Sequence, residues 1–141
     1  MTSLKAVEQR AKIIAKNNKD LNQCIDNNAL PKNIDVSLSE GIILGLLKQN
    51  VRKYFAIFGH GSTDFAEILR IYEEQGVTKT YNFRNEVEMA HAATALRWQY
   101  NEVPAVVTSI GPGALQAMAG SLAASSNGVG FSALRREVSA N

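Results

Sequence analysis

Apolar positions along this chain recur first at helical spacing and later in short unbroken runs. Leu4, Val7, Ala11 and Ile14 lie three or four residues apart among charges, which predicts an amphipathic helix over 4–18. The stretch 17–35 is rich in Asn, Asp and Lys, holds Pro31, and reads as a loop or linker. Compact structure is therefore expected from about Val36. Ser37 and Glu40 stand at capping-box spacing ahead of Ile42, Ile43, Leu46 and Leu47, predicting a helix that ends near Asn50. Residues 54–58 form an apolar run stopped by Gly59-His60-Gly61, the pattern of a buried parallel strand closed by a glycine turn. Phe65, Ile68, Leu69 and Tyr72 then repeat at helical period up to Gly76. A second strand follows over 77–83, and residues 85–100 return to helical period through Met89, Ala92, Ala93, Leu96 and Tyr100. A third strand spans 103–110, with Pro104 near its start, where a missing N–H is tolerated. Gly111-Pro112-Gly113 feeds a last helix, from Ala114 to about Ser126, whose Ala and Gly content allows close packing.

Strand and helix in alternation give an α/β fold, an open and mainly parallel sheet flanked by helices. In such sheets ligands gather at the carboxyl ends of the strands. Three segments fall there: Gly59-His60-Gly61, Arg84-Asn85-Glu86 and Ser109-Ile110-Gly111-Pro112-Gly113.

Composition narrows the classes. A chain of 141 residues at 45% hydrophobic content suffices for one compact domain and not for two. A net charge of +2, with Lys and Arg scattered, gives no basic stripe and argues against a nucleic-acid partner. Cys24 is the single cysteine, which excludes an intrachain disulfide and fits a reducing compartment. With no apolar signal core and no run near ~18 apolar residues, the expected location is cytoplasmic, with no membrane partner.

Each strand-end segment also has a plain structural reading. Gly59-His60-Gly61-Ser62-Thr63-Asp64 opens like a dinucleotide fingerprint, yet Asp64 stands where the third glycine belongs, so a tight turn capped by Ser62 or Thr63 is favoured. His60 is then either a solvated turn residue or a substrate contact. Glu86 in the first turn of a helix could simply complement the macrodipole. His91 reads as packed or hydrogen-bonded. Two histidines without clustered carboxylates predict no metal site within this chain, and Ser109 lacks the Gly-x-Ser-x-Gly elbow of a hydrolase.

The order of motifs adds a resemblance. Arg84-Asn85-Glu86, Met89-Ala90-His91-Ala92-Ala93 and Thr108-Ser109-Ile110-Gly111-Pro112-Gly113-Ala114 are similar to the N-terminal pyrimidine-binding domain of thiamine diphosphate-dependent enzymes of the acetolactate synthase group. Phe58-Gly59-His60-Gly61 looks most like the trihydroxycyclohexane-dione hydrolase-like members, which act on cyclic diketones. The resemblance implies thiamine diphosphate as cofactor, with Glu86 hydrogen-bonding N1′ of its aminopyrimidine ring as the catalytic carboxyl group, shielded from water. It places Ser109, Gly111, Pro112 and Gly113 at the cofactor, and His60 and Gly61 beside the substrate. It also divides the chain into an N-terminal helix and linker (1–35), a partial pyrimidine-binding domain (36–130) and a polar tail (131–141). The Gly-Asp-Gly and Asn motifs that hold Mg²⁺ and the diphosphate in this family do not occur here. Mg²⁺ is therefore expected from a partner, a diphosphate-binding domain or subunit in trans or a homo-oligomer. A sheet stopping at the third strand would leave an unpaired edge, and the tail has too few apolar residues for a buried strand. The implied function is the pyrimidine-binding portion of a carboligase, decarboxylase or diketone hydrolase, inactive alone. The alternative is a non-catalytic α/β interaction module or gene remnant.

Overall fold

The computed structural model describes residues 3–126 and the backbone of 132–134. The chain divides into two compact units, Met1–Arg52 with Asp64–Lys79, and Lys53–Thr63 with Thr80–Asn141. In the first unit, α1 (Leu4–Lys16) starts at Ser3, whose hydroxyl accepts the Ala6 N–H, and it buries Val7, Ala11 and Ile14. The segment expected to be loop holds a second helix, α2 (Leu21–Asp26). Its cap is Asp20, whose carboxylate accepts the N–H groups of Asn22 and Gln23 at 2.8 and 3.2 Å, while Leu21 and Cys24 are buried. A capping side chain and two apolar residues one turn apart outweigh the polar composition around them. α2 packs on both α1 and α3 (Leu38–Lys48). Burial, and secondarily the charge of Asp20, pushes the Cys24 thiol up from its ordinary pKa.

The cap of α3 is half of the expected box. Ser37 Oγ accepts the Glu40 N–H at 3.3 Å, but the Glu40 side chain turns inward. It is fully buried and bound three times: Arg10 Nε donates to Oε1 at 2.8 Å, Arg10 Nη2 to Oε2 at 2.6 Å, and the Tyr72 hydroxyl to Oε1 at 2.9 Å. Tyr72 belongs to α4 (Thr63–Glu74), so this carboxylate ties three helices of the unit together. The hydrogen bond to Glu40 raises the Arg10 pKa against the opposing effect of burial.

The second unit is built on β1 (Lys53–Ala56), β2 (Lys79–Asn82), β3 (Ala105–Val107) and β4 (Ser132–Leu134), in the order β2-β1-β3-β4. β1 and β3 run parallel in the register Tyr54↔Ala105, Phe55↔Val106, Ala56↔Val107. β2 advances in step with β1, since Lys79 N–H donates to Arg52 O and Phe83 N–H to Ala56 O. The fold is thus an α/β fold with an open, parallel sheet flanked by helices. β4 corrects the expectation that pairing stops at the third strand: Ser132, Ala133 and Leu134 pair in parallel with β3. A parallel ladder is made by main-chain groups, so the segment needs no large side chains to join it. Phe131 and residues 135–141, expected as part of a polar tail, lie outside the described residues. α5 (Glu86–Tyr100) packs on β1, β3 and α6 (Pro112–Ser126). Beneath it Phe55, Met89, Ala93 and Val106 form a core, with Ile57, Phe83, Ala92 and Leu96 against them.

Two buried phenols set an alkaline limit to this stability. Burial pushes both Tyr54 and Tyr72 well above the ordinary phenol pKa, Tyr72 also through the charge and hydrogen bond of Glu40. Unfolded tyrosine releases its proton near pH ~10. Each group therefore contributes stability in full below about pH 10, which is lost as pH rises toward the folded value. In an alkaline titration, the phenolate absorbance of these two residues is expected only together with loss of the helical circular dichroism. Tyr54→Phe and Tyr72→Phe locate each contribution.

Candidate functional site

Because β1 and β3 are in register and Ile57 N–H extends the ladder to Val107 O at 3.0 Å, the two strands end at one level. Their continuations meet at once. A Cβ built on Gly59 would fall on Ser109 Oγ, and one on Gly61 on the side chain of Ile110. The two glycines thus let the turn after β1 lie flat against the end of β3. The turn itself is closed by Ser62, whose Oγ accepts the Gly59 N–H at 2.9 Å and donates to Gly59 O at 3.0 Å. Ser62 or Thr63 was expected to cap the following helix; Ser62 closes the His60–Ser62 3₁₀ turn instead, and Thr63 is the first residue of α4.

Glu86 arrives from the other side. Asn85 is the N-cap of α5, its Oδ1 accepting the Val87 and Glu88 N–H groups at 2.8 and 3.1 Å. Those donors are satisfied by the cap, which leaves the Glu86 carboxylate free for other work. It is half-buried, and among the described residues no group donates a hydrogen bond to it. Gly113 lies beside it: a Cβ there would lie 3.0 Å from Glu86 Oε1 and 3.7 Å from Ser109 Cβ. Glu86, Ser109, Gly113 and Gly59 are therefore gathered at one end of the sheet, around space that a side chain at Gly113 would take.

The remaining predicted residues fall around this group. Gly111, at φ +66°, makes the turn into α6 in a conformation suited to glycine. Pro112 is the first residue of α6, where its missing N–H costs no hydrogen bond, and it is exposed. Gly61 is buried, and the imidazole of His60 is exposed with no hydrogen bond to the cluster. His91, expected to be packed or hydrogen-bonded, is exposed on α5. Among the described residues no three His, Cys, Asp or Glu gather in a group able to hold a metal ion. Nor is any helix among them long and apolar enough to cross a membrane.

Sequence reasoning named Gly59 and Asn85 only as members of the strand-end segments, and it did not mark Gly120. The signal for Asn85 was present, as an N-cap residue directly before a helical run; the others depend on tertiary approach. Gly120 holds α5 and α6 together: a Cβ at this position would lie 2.7 Å from both the Val87 carbonyl oxygen and Ala90 Cβ. Main chain cannot swing aside as a side chain does, so Gly120→Val forces the helices apart. The expected cost is at the upper end of the ~1–3 kcal/mol typical of overpacked cores. Urea denaturation read by circular dichroism measures it; an unchanged midpoint would show that the helices are not in close contact.

Comparison with known proteins gives the chain a family. The family described as thiamine pyrophosphate enzyme, N-terminal TPP binding domain, matches residues 36–134. A 3D-(3,5/4)-trihydroxycyclohexane-1,2-dione hydrolase of Clostridium perfringens is 40% identical over 78 residues, covering 53% of this chain and 12% of that protein. The enzyme of the same description from Geobacillus thermodenitrificans is 34% identical over 88 residues, covering 60% of this chain and 14% of that protein. The match thus spans about one eighth of the length of these relatives.

Proposed function

Since the chain belongs to the thiamine pyrophosphate enzymes, through their N-terminal TPP binding domain, we propose that it holds the aminopyrimidine half of thiamine diphosphate, with Glu86 as the carboxyl group that shares a proton with N1′. The observation that carries this reading is the half-buried Glu86 carboxylate, without a hydrogen-bond donor among the described residues and set 3.0 Å from where a Cβ of Gly113 would be. A planar heterocycle needs both a polar anchor and a wall without side chains, and these residues fit that need.

Glu86 acts by holding and moving one proton at N1′, within the range of general acid–base catalysis. When bound, the cofactor supplies a carbon nucleophile for attack on carbonyl groups. The backbone at Gly111, Pro112 and Gly113 offers a close approach to the ring, and Ser109 fixes the spacing between the turn at Gly59 and the start of α6. His60, exposed on the neighbouring turn, offers a polar group to a substrate carbonyl, and Gly61 follows it in the same turn. The named relatives make a cyclic diketone the favoured substrate class, with carboligation and decarboxylation as other outcomes of the same chemistry. A diphosphate-binding domain or subunit in trans would supply Mg²⁺ and the diphosphate contacts.

Calorimetric titration of thiamine diphosphate and Mg²⁺ tests the reading, first into the chain alone and then into its mixture with a diphosphate-binding domain from a relative. Binding that appears in the mixture and is weakened by Gly113→Leu, which fills the space beside Glu86, is the expected result. No binding in the mixture, with both polypeptides folded, would reject the cofactor site and leave a non-catalytic module.

A further inference from the structure

The first turn of α5 holds two carboxylates, Glu86 and Glu88, directly behind the cap. The first N–H groups of a helix are unpaired donors at the positive end of its dipole, and a carboxylate in that turn is drawn to them. A Glu86 held in this way would face its own backbone rather than the space beside Gly113. Asn85 forestalls this. Its Oδ1 accepts the Val87 N–H at 2.8 Å and the Glu88 N–H at 3.1 Å, so an uncharged amide occupies both donors.

We propose that Asn85 is a positioning residue for Glu86, and that it acts as a cap that must be neutral. Capping alone does not ask for neutrality. Asp, Asn and Ser are about equally good caps, and the helix dipole favours the charged one. This chain uses all three. Asp20 caps α2 through the same pair of donors, at 2.8 and 3.2 Å, and the first turn of α2 holds no acidic residue. Where a first-turn carboxylate follows, at Glu40 in α3 and at Glu86 in α5, the cap is the uncharged Ser37 or Asn85. At α5 the reason for neutrality is the shared proton. Glu86 is half-buried, where a second negative charge on the adjoining residue is poorly screened and would bias the proton that Glu86 exchanges with N1′. The inference rests on the cofactor reading of Glu86, and adds to it the residue that aims the carboxylate and keeps other charge away from it.

Asn85→Asp is the decisive variant. It keeps the cap, so the urea midpoint of the free chain is expected to stay near the native one. Thiazolium C2–H exchange, in the mixture with a diphosphate-binding domain, is expected to fall by ~tenfold or more, the effect of one near like charge. Asn85→Ser, a good cap without charge, is expected to stay near native in both measurements. The free chain gives a second readout. In Asn85→Ala the amide proton shifts of Val87 and Glu88 are expected to follow a carboxylate titration by NMR, because Glu86 turns back onto them. Adding Glu86→Gln is expected to abolish that dependence, and adding Glu88→Gln to leave it. Exchange that merely follows stability, native in Asn85→Asp and low only in Asn85→Ala, would overturn the proposal. So would amide shifts in Asn85→Ala that are indifferent to pH. Native exchange in Glu86→Gln would instead reject the cofactor reading itself, whereas loss there beside native rates in Asn85→Asp would reject only the role of Asn85.

Discussion

Glu86→Gln is expected to abolish exchange of the thiazolium C2 proton of thiamine diphosphate in the assembled enzyme, while the fold and the cofactor's contacts with the diphosphate-binding partner persist. The two side chains have nearly the same shape, so the space beside Gly113 is kept and packing is not the variable. What changes is proton capacity: an amide can hydrogen-bond N1′ but cannot take and return a proton there at neutral pH. Loss of a general acid–base group costs typically ~10²–10⁴-fold in rate. Exchange followed by proton NMR after acid quench reads the step directly. Glu88→Gln, two residues along on the exposed side of α5, is the control and is expected to leave exchange unchanged. Native exchange rates in Glu86→Gln would remove Glu86 from the mechanism even if the cofactor still bound.

Glu40→Ala is expected to be the most damaging single change to stability. The Glu40 side chain is fully inaccessible and that of Arg10 is 13% accessible. Removing the carboxylate leaves a guanidinium and the Tyr72 hydroxyl buried without their acceptor. Breaking a buried ion pair in this way costs about 3–5 kcal/mol, a large part of the ~5–15 kcal/mol that holds a domain folded. The same physics predicts recovery. Arg10→Met, Glu40→Leu and Tyr72→Phe together remove all three polar groups, and the triple variant is expected within about 1 kcal/mol of the native chain or above it. Urea denaturation curves of the single and triple variants check both statements. A loss below about 1 kcal/mol in Glu40→Ala would mean that water reaches the pair.

The sequence announces those parts of the fold that depend on local pattern. The run at 54–58 and the glycines that stop it, the period from Phe65 to Tyr72, and the small residues after Gly111 each report a strand, a helix or a turn through neighbours along the chain. They do so because burial repeats every two residues in a strand and every three to four in a helix. What escaped notice depends on partners far apart in sequence. Thirty residues separate Arg10 from Glu40, and Glu40 resembles an ordinary capping residue until Arg10 and Tyr72 are placed beside it. α2 was hidden by its polar surroundings, with only Asp20, Leu21 and Cys24 to mark it. β4 pairs through its main chain, which hydrophobicity does not report. The candidate site divides in the same way. Glu86 and Gly113 were singled out by their place at strand ends and by the family resemblance of the motifs that hold them. The seating of Gly59 on Ser109 follows from the register of two parallel strands, which no local pattern encodes.

The contact at Gly120 has a bearing on motion. Helices spaced by side chains can slide as rotamers change, but α5 and α6 touch where a Val87 carbonyl meets a residue with no side chain. Sliding there would drive backbone into backbone. Thermal fluctuation of the two helices is thus coupled, and the carboxylate at the head of one travels with the glycine at the head of the other. Tolerance to mutation should follow the same division. Positions on the outer side of α5, such as His91 and Ala95, can drift in evolution without altering the gap between Glu86 and Gly113, whereas a single methyl group at Gly120 would reset it.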